Sequence, residues 1–238
     1  MSESELYTVQ KVSVPAATQP EPPSRPRVGR PPRLTPNQVV TAARRIAAGE
    51  GVEQLTMRRL ADAVGVMPNA LYTYFPDKAA ILDAVLDDFL GDIRRPRSTL
   101  TWLQRLVSLM SSYRRLLLIQ PGLIALTVSR PMVGPNALRV REHMLMLLRG
   151  GELDDSETVT AYFALFAYTT GFVAFETARP PGTRDSEERA QTHQLHAALP
   201  ADVFPSTSAL AGRLAKRPGD AEFTRGLRAV VAGFTRGA

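Results

Sequence analysis

No cysteine occurs anywhere in the 238 residues. Disulfides, thiolate metal sites and cysteine nucleophiles are thereby excluded together, and the reducing cytoplasm is the compartment such a chain suits. Histidine is almost as scarce, with His143, His193 and His196 alone. None of them has a partner four residues away on one helix, so no metal or other cofactor is expected. The N-terminal stretch starts acidic and polar and lacks an apolar run of signal-peptide length, which predicts a chain that is not exported. Long apolar runs are also lacking, with one exception: Thr158 to Phe175 carries no charge over 18 residues. Its Thr and Tyr content and the missing basic flank predict a helix buried against protein, so no membrane partner is expected. Glycine-rich phosphate loops and a Gly-x-Ser-x-Gly elbow are absent too. Asp154-Asp155 reads as a helix cap rather than an acid–base pair, and no enzymatic activity is expected.

Basic charge is abundant: 29 basic residues against 23 acidic leave a net charge of +6, while 44% of the chain is apolar, enough for a sizeable core. The excess is concentrated, with nine basic and four acidic residues between Arg25 and Lys78. Residues 1–33 hold seven of the 19 prolines and read as a disordered Pro/Arg-rich arm. Its last third interleaves Arg25, Arg27, Arg30 and Arg33 with Pro and Gly. That strip is either a solvated linker or an extended arm thin enough for a minor groove, and Gly29-Arg30-Pro31 has the look of an AT-hook fragment.

Helical punctuation follows at once. Thr35 is placed as N-cap, Pro36 at the first helical position, Gln38 three residues after the cap, and Leu34 and Val39 as a hydrophobic staple. Val39, Ala43, Ile46 and Ala47 line one face until Gly49 and Gly51. Thr56 caps a second short helix whose inward face is Met57, Leu60, Ala61 and Val64, and Gly65 stops it. A third segment, Pro68 to Phe75, turns Leu71 and Phe75 inward and leaves Asn69, Ala70, Thr73 and Tyr74 outward. Pro76-Asp77 recaps a fourth helix reaching about Ile93. Two short helices joined at a glycine and braced by a third form the helix-turn-helix pattern, whose outward face fits a major groove.

The segment from Val28 to Leu90, including LTMRRLADAVGVMPNALYTYFPDKAAILDAVL, closely resembles the DNA-binding domain of tetracycline-repressor (TetR) family regulators. The resemblance implies roles residue by residue. Thr56 and Arg58 fall at the start of the family's second helix, and Pro68, Asn69, Ala70, Thr73 and Tyr74 at recognition-helix positions. Tyr72 and Tyr74 fall on its Tyr-x-His/Tyr pattern, and Lys78 on its phosphate-binding lysine. Arg30 and Arg33 join them as candidate contacts from the arm. Met67 departs from the serine often found there, so the recognition helix depends on Pro68 for its start.

Residues 98–238 read as a second, all-helical domain after the helix-turn-helix domain of 34–93, and they resemble the family's regulatory domain more weakly, notably in RPMVGPNALRV and GFVAFETA. Trp102, Leu106, Met110, Tyr113 and Leu117 line one helix, with Arg105, Arg114 and Arg115 on other faces. Asp155 or Ser156 caps the long apolar helix, and Arg179 to Ala190 reads as a loop. An all-α homodimer is expected, paired through Ala161, Leu165, Tyr168, Phe172, Phe175, Leu227, Val231 and Phe234. A mostly apolar effector, bound without metal, is expected among Trp102, Leu106, Met110, Tyr113, His143, Met144, Tyr162 and Phe166. Metal-dependent tetracycline binding is disfavoured, because the family members that do this supply an earlier histidine than His143. The expectation is a ligand-responsive repressor on a palindromic double-stranded DNA operator. Its rival is a helical binding or enzyme domain whose basic arm holds nucleic acid nonspecifically.

Overall fold

The computed structural model describes residues 34–178 and 185–235. Among these, all regular elements are helical: α1 Pro36–Glu50, α2 Met57–Val64, α3 Pro68–Leu71, α4 Lys78–Leu90, α5 Trp102–Ile119, α6 Leu123–Ser129, α7 Pro135–Arg149, α8 Asp155–Thr177, α9 Asp185–Ala197, α10 Pro205–Ala209, α11 Ala211–Leu214 and α12 Asp220–Thr235. Arg30 and Arg33 lie outside the described residues.

Helix α1 starts where the capping signals put it. Thr35 Oγ1 accepts the Gln38 N–H at 3.3 Å while Gln38 Oε1 accepts the Thr35 N–H at 2.9 Å. Gly49 does not end it; the helix continues to Glu50 and Gly51 is its C-cap. Thr56 Oγ1 caps α2 through the Arg59 N–H at 3.1 Å. Gly65 then takes φ 71° and ψ 36°, the left-handed conformation that costs an ordinary side chain about 1–2 kcal/mol. Asp77 Oδ1 caps α4 through the Ala80 N–H at 2.7 Å. Val39, Ala43, Leu60, Ala61, Leu71, Ile81 and Val85 close the core of these four helices. Arg44 on α1 bridges Asp88 and Asp92 and lies over the Phe89 ring of α4, 4.5 Å from its centroid.

That core continues across residues 93–98, between the two domains expected from the sequence. It runs on from Leu86, Phe89 and Leu90 into Leu106, Met110, Leu117, Leu148, Leu165 and Leu227. Helix α8 packs on α5, α7 and α12. Helices α5, α8 and α12 are bound at one end by Arg114 of α5, which the spacing set off the packed face and which is only 7% exposed. Its guanidinium meets Glu176 of α8 at 2.7 and 2.5 Å and Asp220 of α12 at 2.6 Å, and lies 4.9 Å from the Phe223 ring centroid.

Several boundaries differ from the sequence reading for identifiable reasons. Helix α3 ends at Leu71, and the chain reaches Phe75 through tight turns in which the Thr73 and Tyr74 N–H groups reach back three residues. Pro76 disfavours helical backbone at Phe75. The cap of α8 is Asp154 rather than Asp155 or Ser156, because Asp154 and Glu157 form a reciprocal capping box at 2.7 and 3.0 Å. Residues 185–190, read as loop, belong to α9 together with His193 and His196.

Candidate nucleic-acid interface and ligand cavity

The turn between α2 and α3 leaves a compact outward face. Thr56, Arg58, Asn69, Tyr72, Thr73 and Lys78 are exposed, while Pro68, Ala70 and Tyr74 are half-buried. Leu71 is fully buried, which fixes the roll of α3 and so the direction of Asn69 and Thr73. Met67 stands at the N-cap of α3 without a side-chain hydrogen bond and is 75% exposed. Its bare thioether lies beside the outward face, at the cap position where the sequence departs from serine. An apolar group there suits contact with a thymine methyl.

A second feature lies where α4, α5, α7 and α8 meet. Leu90, Met110, Tyr113, Met132, Ala137, Val140, Arg141, Met144, Tyr162 and Phe166 line an apolar cavity of only about 30 Å³, about the room of one water molecule, so a small molecule enters only as the lining side chains give way. Three rings form its aromatic wall: Tyr113 and Phe166 lie 5.5 Å apart at 24°, and Phe166 and Tyr162 lie 6.4 Å apart at 17°. Burial pushes the Tyr113 phenol up to about 12, against hydrogen bonds with Thr170 and Thr127 that lower it. Met110, Tyr113, Met144, Tyr162 and Phe166 were expected here. Trp102, Leu106 and His143 were too, and they do not line the cavity. Trp102 lays its indole over Gly151, Leu106 is spent in the closed core, and His143 is buried elsewhere on α7.

The rim of the cavity is gripped by α4. Arg130 binds the Asp83 carboxylate through Nε and Nη2, and its Nη2 also donates to the Ala79 carbonyl at 2.9 Å. Gly134, the N-cap of α7, has no side chain to cap with, and Asp87 of α4 does so from outside. Asp87 accepts the Ala137 N–H at 2.8 Å and the Asn136 N–H at 3.3 Å, while Asn136 Nδ2 donates to the Asp87 carbonyl at 3.0 Å.

Residues 39–85 match the family described as "Bacterial regulatory proteins, tetR family", and residues 95–236 match "Tetracyclin repressor-like, C-terminal domain". The chain belongs to the TetR family. It is 34% identical over 206 residues to an HTH-type transcriptional regulator of Saccharopolyspora erythraea, covering 85% of each chain. It is 34% identical over 200 residues to the HTH-type transcriptional repressor DrrR1 of Streptomyces coeruleorubidus, covering 78% of this chain and 72% of that one. The solved Streptomyces coelicolor TetR-family protein ActR in complex with actinorhodin superposes with a TM-score of 0.81 at 28% identity, covering 87% of this chain and 98% of that one.

The face expected to pair two TetR-family copies needs correction. Ala161, Leu165, Leu227 and Val231 are buried in the chain's own core, because α8 and α12 pack on each other there. Tyr168, Phe172 and Phe234 are half-buried; Tyr168 and Phe172 lie 5.6 and 5.3 Å from the Phe223 ring. Phe175 alone of the eight is exposed, at 81%. The unpartnered stripe of α8 is instead Val159, Phe163, Ala167, Gly171 and Phe175, spaced four residues apart, with Phe163 63% exposed. The same exposed stripe explains why α8 is long and apolar enough to cross a membrane by length and composition.

Proposed function

We propose that the chain is a ligand-responsive repressor that binds a palindromic operator as a homodimer and leaves it when a small molecule enters the cavity. The observation that carries this reading is the junction on α4. Leu90 of α4 lines the cavity, while Asp83 and Asp87 of the same helix hold the 130–137 segment at its rim. A molecule that binds better when that segment is displaced therefore shifts the helix joined to the turn unit, and with it the operator affinity.

On the DNA side, Thr56, Arg58 and Lys78, with Arg30 and Arg33 of the arm, take the phosphate-contact roles. Pro68, Asn69, Ala70, Tyr72, Thr73 and Tyr74 take the groove, joined by Met67. Pairing of copies uses the Val159, Phe163, Ala167, Gly171 and Phe175 stripe. A Cβ at Gly171 would meet nothing within 4 Å, so a second helix has room to approach. The effector is mostly apolar and bound without metal, the role is regulatory rather than enzymatic, and the compartment is the cytoplasm. The family's regulators and the actinorhodin complex of ActR support this reading.

Selection of binding sites from random DNA, followed by release with a compound library with and without EDTA, tests it. A regulator prefers one palindrome by roughly 10³-fold or more at physiological salt. Indiscriminate binding would favour a helical module with a nonspecific basic arm, and loss of every response in EDTA would overturn metal-free binding.

A further inference from the structure

The cavity has one charged group in its lining, Arg141, among aliphatic, thioether and aromatic side chains. The arginines that tie helices together do so through carboxylates, among them Arg44 with Asp88 and Asp92, Arg59 with Glu50, Arg114 with Glu176 and Asp220, and Arg130 with Asp83. Arg141 differs. Its Nη2 donates to the Met132 carbonyl at 2.8 Å and its Nε to the Tyr162 hydroxyl at 3.3 Å, both neutral acceptors. Among the described residues no carboxylate forms an ion pair with it. A guanidinium keeps its charge at every accessible pH, and a charge at an apolar wall is costly until an anion joins it. The two neutral bonds meanwhile fix the direction of its planar fork, which suits an oxyanion by paired N–H···O contacts.

The neighbouring surface sets the shape of the rest of the ligand. Tyr162, which holds Arg141, is the end of the near-parallel row Tyr113, Phe166, Tyr162. Aromatic rings stack best on flat partners, and Met110, Met132 and Met144 adapt around an irregular edge. We infer that the effector is a flat aromatic anion, its ring lying along the Tyr113–Phe166–Tyr162 row and its carboxylate, sulfonate or acidic phenol paired with Arg141. The inference rests on the cavity being the effector site, and names the class of molecule that site selects.

Two dyes that differ by one sulfonate test it on the full chain: 8-anilinonaphthalene-1-sulfonate and neutral N-phenyl-1-naphthylamine, titrated by fluorescence. The sulfonate should bind about 10- to 100-fold more tightly, the range of a charge-assisted hydrogen bond. Arg141→Met should erase the difference, Arg141→Lys should keep part of it, and Arg139→Met, an exposed neighbour on α7, should leave it unchanged. Met110→Trp or Met144→Trp, filling the cavity, should block both dyes, with helicity checked by circular dichroism for every variant. Equal affinity of the two dyes for the parent protein, or an unchanged ratio in folded Arg141→Met, overturns the inference while leaving the cavity reading intact. Dye binding that survives both filled variants overturns the cavity reading, and the inference with it.

Discussion

The turn unit of residues 56–75 and the cavity rim of residues 130–149 are built on opposite plans. In the first, each instruction is local: Thr56 caps its own helix, Gly65 turns the chain, and Pro68 starts α3. In the second, the instructions come from far along the chain. Arg130 is held by Asp83, α7 is capped by Asp87, and Arg141 is aimed by Met132 and Tyr162. A unit that must present one fixed face to a partner gains from carrying its own geometry. A segment that must report occupancy gains from taking its geometry from the element it reports to, since anything that displaces it must then disturb α4.

The sharpest way to break this comparison is at Gly134. A Cβ there would overlap the Asp87 carboxyl, so Gly134→Ala should push α7 off α4 by overpacking and cost about 3 kcal/mol, roughly 6–12 °C in a domain of this size. Thermal unfolding checks it, and an unchanged melting temperature would show that the junction is loose. Next come two cap deletions matched in stability and opposed in function. Thr56→Ala and Asp87→Ala should each cost about 1 kcal/mol. Only Asp87→Ala should weaken effector-triggered release of DNA, and only Thr56→Ala should weaken operator binding without effector. Equal loss of release in both would show that the far cap carries no coupling. On the outward face itself, Thr73→Ala should alter base preference. Lys78→Ala should instead weaken all sequences alike and lower the salt slope by about one. A changed preference with an unchanged slope in Lys78→Ala would reverse the two roles.

The same contrast explains how much of the molecule was legible in the sequence. Capping boxes, the left-handed glycine and the inward faces of α1, α2 and α4 lie within a few residues of one another, so Thr35, Gln38, Thr56, Gly65 and Asp77 are read directly. Half the cavity was found from helical periodicity, because Met110, Tyr113 and Met144 share faces with neighbouring core residues. Periodicity cannot separate a core position from a cavity wall, however, which is why Trp102 and Leu106 were grouped with them. For the same reason Leu165 and Phe163 of α8 could not be told apart as inner and outer faces in a helix apolar on all sides. Arg114 and Arg141 were invisible for a different reason. Each is a charge held by partners 9 to 106 residues away, and no local pattern announces such a meeting.

The smallest expected effect appears only in alkali, and it sharpens the contrast from the buried side. Tyr113 sits on the cavity wall, 4% exposed, with Thr170 3.5 Å from its hydroxyl. Burial lifts its folded-state value to about 12, whereas the unfolded chain should release the same proton near 10. Between those values the native state holds a proton that the unfolded state has lost, so stability is full below about pH 10 and declines as the pH rises towards 12. The decline from this group is about 1 kcal/mol by pH 11, worth roughly 2–4 °C. Tyr113→Phe removes the titrating group, so its melting temperature should fall less steeply above pH 10 than that of the parent while the two profiles run parallel below it. Parallel profiles up to pH 11.5 would show that water reaches the phenol, and the aromatic wall would then be a wet surface instead of a dry one.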